Sequence, residues 1–211
     1  MSEDNKKLIR KYRKTARWYD FLDAYWEKQY QKIRPMIVGN VSGNVFEAGV
    51  GTGRNLSFYP AAITLTAIDL SSEMLAIAKA RKPENIAVTF LQADAVALQG
   101  IPNAHFDWYV STFLYCVMPD HLQSKALNKM VKLLKVGGKF RILEIIYSQQ
   151  KISRIIQRLF APFVKFVYGA QFNRQTLSHI KNHPELLITR QSFVRNDTYL
   201  LIEGEKVAPD E

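Results

Sequence analysis

Three carboxylates, Glu47, Asp69 and Asp94, each follow a short apolar run, and Gly49, Gly51 and Gly53 stand directly behind the first of them. An apolar run ending in an acid and a glycine turn reads as a strand that delivers a loop to a ligand, because glycine has no Cβ to hold a ligand off the backbone. The dinucleotide fingerprint would need glycine at 49, 51 and 54, and position 54 is Arg54. Here the third glycine falls inside the turn, which favours a ligand lying along the turn itself. Glu47 beside that turn would repel a pyrophosphate and suit a cationic ligand. The residues after Gly53 read as a helix from 54 to about 60, whose first N–H groups would face the ligand. Acids at successive strand ends stand where open parallel sheets bind ligands. No metal chemistry is expected, since Cys116 is the single cysteine and has no His or Cys at ligand spacing.

The elements that must position these groups follow from periodicity and punctuation. Strands are expected at 44–48, 63–68, 87–92, 107–111 and 139–146. Between them, Ser71 and Ser72 cap a helix running to about Arg81, and Asp120 opens one that runs to Leu134 and ends at Gly137-Gly138. Alternating strands and helices mean a parallel sheet with helices on both faces. Residues 186–194 and 198–203 are strands joined by Arg195-Asn196-Asp197, a hairpin signal, so the sheet ends antiparallel. The whole reads as an α/β, Rossmann-like seven-stranded sheet, mostly parallel.

The 211 residues suit one domain, 1–211. It divides into a basic amphipathic helical cap (1–40), a ligand-binding core (41–147), an apolar-basic helical insert (148–183) and the C-terminal hairpin (184–206). The cap reads as helix over 5–33, with Leu8, Tyr12, Ala16 and Tyr19 in one stripe and Pro35 starting a further helical turn. The insert is helical and apolar over 152–168, divided by Pro162 and punctuated by Arg154, Arg158 and Lys165. No run of about 18 apolar residues offers a membrane span, and no signal peptide is expected at the start.

Net charge is +10. Seven bases and no acid lie in 5–19, and six bases and no acid in 145–184, so the remainder is net −3. A slightly acidic globule with two basic segments points to a polyanionic partner, a membrane surface or nucleic acid.

The stretch Glu47-Ala-Gly-Val-Gly-Thr-Gly53 resembles the first motif of class I S-adenosylmethionine-dependent methyltransferases. The resemblance continues in order through Ala67-Ile-Asp69-Leu-Ser-Ser-Glu-Met74, Gln92-Ala-Asp94-Ala95, Phe106 to Ser111 with Met118-Pro-Asp120, and Leu134-Lys-Val-Gly137-Gly138. It covers roughly 17–147 and implies S-adenosyl-L-methionine as cofactor. It also implies roles: Gly49, Gly51 and Gly53 admit the methionine moiety, with Glu47 near its positive end. Asp69 accepts the ribose hydroxyls, Leu70 and Met74 enclose the adenine, and Asp94 with the Ala95 N–H reads the adenine edge. Asn55 and Ser111 complete that set, and Tyr19 matches a tyrosine that closes over the cofactor in related enzymes. The residues placed to line the acceptor side are Tyr19, Ser111, Phe113, Tyr115 and Cys116, with Glu144 and Tyr147 after the fifth strand, and Tyr19, Tyr115 and Tyr147 are expected to position the acceptor.

Within the superfamily the chain is similar to the phospholipid N-methyltransferases and to the ubiquinone/menaquinone ring C-methyltransferases, which both act on lipophilic acceptors. That agrees with the two basic segments, which are read without it. The expected activity is methylation of a lipophilic acceptor, a phospholipid amine of the phosphatidylethanolamine type, by a cytoplasmic enzyme peripheral at the inner face of the membrane and held by anionic lipid. The alternatives are ring C-methylation of a quinone precursor, a nucleic-acid methyltransferase, and a cofactor-binding partner protein without catalysis. Against nucleic acid, residues 112–115 read Thr-Phe-Leu-Tyr, not Asn/Asp-Pro-Pro-Tyr/Phe.

Overall fold

Val45 and Phe46 are neighbours in sequence and both are fully buried, on opposite faces of the same strand. A strand covered on both sides belongs in the middle of a parallel sheet between two helical layers. The computed structural model, which describes residues 24–209, has that arrangement. Strands β1 (Gly43–Ala48), β2 (Ile63–Asp69), β3 (Ala87–Gln92), β4 (Phe106–Thr112), β5 (Leu134–Ile145), β6 (Leu186–Arg195) and β7 (Tyr199–Lys206) form one sheet in the order β3-β2-β1-β4-β5-β7-β6. The pairs from β3 across to β5 are parallel, and β7 is antiparallel to both β5 and β6. β1 lies at the point where the strand order reverses, so a crevice opens beyond its carboxyl end.

Helices α1 (Ala24–Tyr30) and α2 (Arg34–Val38) precede β1. Helices α3 (Ser72–Arg81), α4 (Asp120–Leu133), α5 (Lys151–Tyr168) and α6 (Thr176–Lys181) follow. α4 buries Leu122, Ala126 and Met130 at helical spacing against Phe46 and Tyr109, while α2 and α3 bring Ile37, Val38, Leu75 and Ala78 to the other face. Ser71 caps α3, its hydroxyl accepting the Met74 N–H at 3.2 Å. Asn196, with φ of 46°, turns the β6–β7 hairpin.

Three expectations need correction. The helix expected from 54 to 60 is only a 3-10 turn, Leu56–Phe58. Pro60 forces Tyr59 into extended backbone (φ −71°, ψ 143°), and β2 begins three residues later, so no α-helix fits. Gly137 and Gly138 do not end α4. They lie inside β5, where an added Cβ on Gly138 would sit 2.8 Å from the Lys135 carbonyl oxygen and 3.1 Å from that of Phe106. Pro162 does not divide the insert helix, because α5 runs unbroken through it. The expected helix over 5–33 falls outside the described residues as far as residue 23. Within them, Pro35 stands in the first turn of α2, as its fixed φ favours.

Candidate functional site

The carboxyl ends of β1, β2 and β3 meet at one edge, and the glycine turn lies across them. The N–H groups of Gly49 and Val50 both donate to the Ile68 carbonyl at 2.9 Å, which ties the turn down to β2. The Gly51 N–H donates to Asp69 Oδ2 and the Ser71 N–H to Asp69 Oδ1, each at 2.9 Å. Both oxygens of Asp69 are thereby oriented, and each keeps a lone pair for a ligand hydroxyl. Burial raises the Asp69 carboxyl above its ordinary value, and the backbone N–H groups of Ser71, Gly51 and Leu70 oppose that.

The three glycines, alike in sequence, do different work. All have positive φ. A Cβ on Gly51 would meet nothing within 4 Å, so it faces open cavity. A Cβ on Gly53 would lie 2.9 Å from Ala78 Cα, so this glycine admits α3 to the turn and does not line the cavity. A Cβ on Gly49 would press on the Leu114 side chain at 3.2 Å. Of the three, Gly49 and Gly51 line the cavity and Gly53 does not.

Beneath the turn is a buried polar network. Arg34 is 6% exposed, forks onto Glu27 at 3.0 and 2.7 Å, and donates to Asn55 Oδ1. Asn55 Nδ2 donates to Glu47 Oε1 at 2.6 Å and to Thr112 Oγ1 at 3.1 Å. Arg54 also pairs with Glu27. Glu47 is 1% exposed, and its Oε2 is buried without a hydrogen-bond partner. Burial pushes its carboxyl up to about 7, against the pull of Asn55, the nearby Tyr59 hydroxyl and the Arg34 charge. The Tyr59 hydroxyl is close enough to favour the charged form but outside hydrogen-bond geometry. Arg34 is the residue sequence reasoning missed. A base beside Ile33, Met36 and Ile37 on a short helix was the available sign that its charge is used internally. Arg81 was also missed: it donates to the Thr52 carbonyl at 2.9 Å and so pins the turn from α3.

One cavity of about 900 Å³ runs from this cradle to α5. Its walls include Gly49, Gly51, Asn55, Asp69, Leu70, Met74, Asp94 and Ala95, eight of the expected cofactor residues. Asp94 is oriented by the Val96 N–H, which donates to its Oδ1 at 3.1 Å. Glu47 and Ser111 are buried below the cavity wall and do not line it. Tyr19 lies outside the described residues.

The far end is apolar. Phe113, Cys116, Ile145, Phe160, Phe163 and Phe172 line it, with Arg174 and Arg195 also in the wall. Phe113 stands in left-handed backbone at the end of β4 (φ 59°), a strained conformation of the kind found at ligand sites. The acceptor expectations divide here. Phe113 and Cys116 reach the cavity. Tyr115 does not: it is fully buried, with its hydroxyl 3.1 Å from that of Tyr109. Tyr147 does not either, because its ring packs on Phe172 at 5.3 Å between centroids, behind the wall. Glu144 borders a separate, smaller cavity of about 440 Å³ with Thr176 and Lys181. The Cys116 thiol is pushed well up by burial and by the Glu144 charge, so it is a packed thiol, not a nucleophile. Among the described residues no cluster of three His, Cys, Asp or Glu is placed to hold a metal ion.

Residues 45–138 match the family described as methyltransferase domain. A methyltransferase of uncharacterised activity from Bacillus cytotoxicus is 36% identical over 127 residues, covering 58% of this chain and 56% of that protein. A second, from Bacillus mycoides, is 34% identical over 123 residues, covering 57% and 56%. The chain thus spans just over half the length of the curated relatives it matches. Among solved structures, the N-methyltransferase NodS from Bradyrhizobium japonicum with bound S-adenosylhomocysteine superposes with a TM-score of 0.68 at 14% identity, over 97% of this chain and 99% of that one. Magnesium protoporphyrin IX methyltransferase from Synechocystis, also with S-adenosylhomocysteine, gives 0.67 at 13%, over 97% and 100%. The fold is the Rossmann-like fold of class I S-adenosylmethionine-dependent methyltransferases.

Proposed function

We propose that this chain, whose residues 45–138 carry the methyltransferase domain match, is an S-adenosylmethionine-dependent methyltransferase acting on a lipophilic acceptor at a membrane surface, a phospholipid amine before other acceptors. The observation that carries the reading is the single cavity joining an acid-lined cradle to an apolar chamber.

The cradle fits the cofactor. Asp69 offers two oriented oxygens to the ribose hydroxyls, and Asp94 faces the adenine edge between Leu70, Met74 and Ala95. Gly51 leaves room for the methionine moiety, and the Glu47 carboxyl supplies negative charge through the turn. When bound, S-adenosylmethionine supplies an electrophilic methyl group on a sulfonium. The protein's own task is then alignment and exclusion of water, which suffices when the acceptor is already nucleophilic.

The apolar chamber suits an acyl chain or a lipophilic ring. Arg174 and Arg195 in its wall suit a phosphate, and their charge favours the neutral, nucleophilic form of a nearby amine. NodS, an N-methyltransferase, shares the fold. The bases of 5–19 and 145–184 favour an anionic surface, and no described helix is long and apolar enough to cross a membrane. We place the enzyme in the cytoplasm, peripheral at the inner face of the membrane.

The test is incubation of the protein with methyl-labelled S-adenosylmethionine and total lipid extract, followed by separation of the lipids. Label in amine-bearing phospholipids is expected. Label in the quinone fraction would transfer the reading to ring C-methylation. Label in no lipid, together with salt-dependent RNA or DNA binding in a gel shift, would overturn it.

A further inference from the structure

Helix α5 carries a feature that the cavity alone does not require. It is 18 residues long and buries no residue, yet most of its side chains are apolar. Ile152, Ile155, Leu159 and Phe166 stand at i, i+3, i+7 and i+14 and form one strip. Ile152 and Leu159 are each 75% exposed, and Phe166 is 81% exposed. Lys151, Arg154, Arg158 and Lys165 have the same spacing one residue earlier, so a basic stripe runs along one flank of the apolar strip. On the other flank, Ile156, Phe160 and Phe163 line the cavity while more than half of each side chain is exposed. The mouth of the cavity therefore opens at the edge of the apolar strip.

The helix is fastened by polar ties near its start and by Val164 and Tyr168, which pack on the Cys116, Ile145 and Ala170 cluster, and not by its outer strip. Asp197 of the hairpin turn accepts from the Ser148 hydroxyl and the Gln149 N–H, both at 2.7 Å, just before the helix starts. Gln157 accepts the Ser148 N–H at 2.7 Å and donates to the Thr198 hydroxyl at 3.1 Å. Arg154 donates to the Ser148 carbonyl at 2.8 Å. These polar ties set the orientation of α5 on the sheet edge and leave its strip facing outward.

We propose that α5 lies in the interface of an anionic bilayer, with its apolar strip among the acyl chains and its basic stripe at the headgroups, so that the acceptor passes sideways from the leaflet into the cavity past Phe160 and Phe163. An exposed apolar strip flanked by cations, with no acid between residues 145 and 184, complements an anionic lipid surface and would be repelled by a basic one. Pro162 sits on the same helix, where it removes one backbone donor without ending it. The inference deepens the proposed function by naming the element that meets the membrane, and its test needs no turnover.

Full-length protein is co-sedimented with phosphatidylcholine vesicles, with and without phosphatidylglycerol. Phe166→Asp is expected to lower partitioning about tenfold on both vesicle types. A double Lys151→Gln, Arg158→Gln variant is expected to lose about thirtyfold on anionic vesicles and little on neutral ones. Calorimetry with S-adenosylmethionine should give wild-type affinity for both variants, which shows that they fold. An environment-sensitive dye on Phe166→Cys should shift to the blue when vesicles are added. Vesicle binding unchanged in both variants would overturn the inference. So would an α5-dependent dimer, seen by sedimentation, that does not associate with vesicles. α5-dependent vesicle binding with no label reaching any lipid would support this inference and count against the proposed function.

Discussion

The two ends of the cavity are built on opposite principles. At the cradle the carboxylates are oriented by hydrogen bonds: Asp69 by the backbone N–H groups of Gly51 and Ser71, Asp94 by that of Val96, and Glu47 by the Asn55 side chain. Near α5 the walls are mostly phenyl and aliphatic groups, with Arg174 and Arg195 among them, and Ile156, Phe160 and Phe163 have their outer sides exposed. Hydrogen bonds specify one geometry, so the cradle is pre-organised for one ligand. Apolar contact specifies only size and dryness, so the chamber tolerates a family of ligands and invites a hydrophobic surface to complete it. A small polar cofactor and a variable lipophilic acceptor would need those two kinds of wall.

The strongest way to break the comparison is to damage the cradle alone. Asp69→Asn keeps an acceptor for one backbone N–H but removes the charge and half of the acceptor set. Affinity for S-adenosylmethionine, read by calorimetry, should fall about a hundredfold, as expected for two weakened hydrogen bonds to a charged group. Partitioning onto anionic vesicles should not change. If one substitution moved both readouts, the two ends would not be independent.

A finer cut separates two glycines that look equivalent in sequence. Both Gly51 and Gly53 have positive φ, so alanine at either pays a similar backbone penalty of about 1–2 kcal/mol. At Gly53 the new Cβ would also meet Ala78 Cα at 2.9 Å, backbone that cannot swing aside. Gly53→Ala should therefore cost about 1–3 kcal/mol more than Gly51→Ala in urea unfolding. Gly51→Ala should instead weaken the cofactor about tenfold, since its methyl group enters open cavity. Equal losses of stability, or an unchanged affinity in Gly51→Ala, would show that the turn is not divided between packing and binding.

The cradle was legible in the sequence for the same reason that it is rigid. Each of its parts is local: an acid at a strand end, a glycine that must take positive φ, a serine cap. The parallel sheet and its closing antiparallel hairpin followed from strand rhythm and from Arg195-Asn196-Asp197, whereas the strand order came only with the structure. What stayed hidden was set by distant contacts. Gly53 could not be separated from Gly51 without knowing that α3 crosses it at Ala78. The helix expected after Gly53 gave way to Pro60 and to the short path into β2. Tyr115 and Tyr147 looked placed for an acceptor because they follow strand ends. The first turns inward to Tyr109 and the second packs on Phe172 behind the wall. The apolar character of 152–168 was plain, but that its strip faces outward depends on polar ties from Asp197 and Gln157, far apart in sequence.

The smallest effect concerns Glu47, which belongs to the cradle yet is buried as completely as the core. Burial holds its carboxyl at about 7 in the folded protein, against an ordinary 4.5. The raised value means that the folded state keeps a proton which the unfolded chain has released. That contribution to stability is full below pH 4.5 and is lost as pH rises through about 7. Between pH 6 and 8 the ligand-free protein should lose about 1 kcal/mol, a fall of about 2–4 °C in Tm. Glu47→Gln, which can still accept from Asn55, should flatten that slope. Affinity for S-adenosylmethionine should move the other way and tighten a few-fold over the same range, because the sulfonium keeps its charge while Glu47 gains one. Asp69 remains in the variant, so any pH dependence that survives Glu47→Gln belongs to other groups. Coincident wild-type and variant profiles would mean that Glu47 is only a buried strut, and that the cradle draws its charge from Asp69 and Asp94 alone.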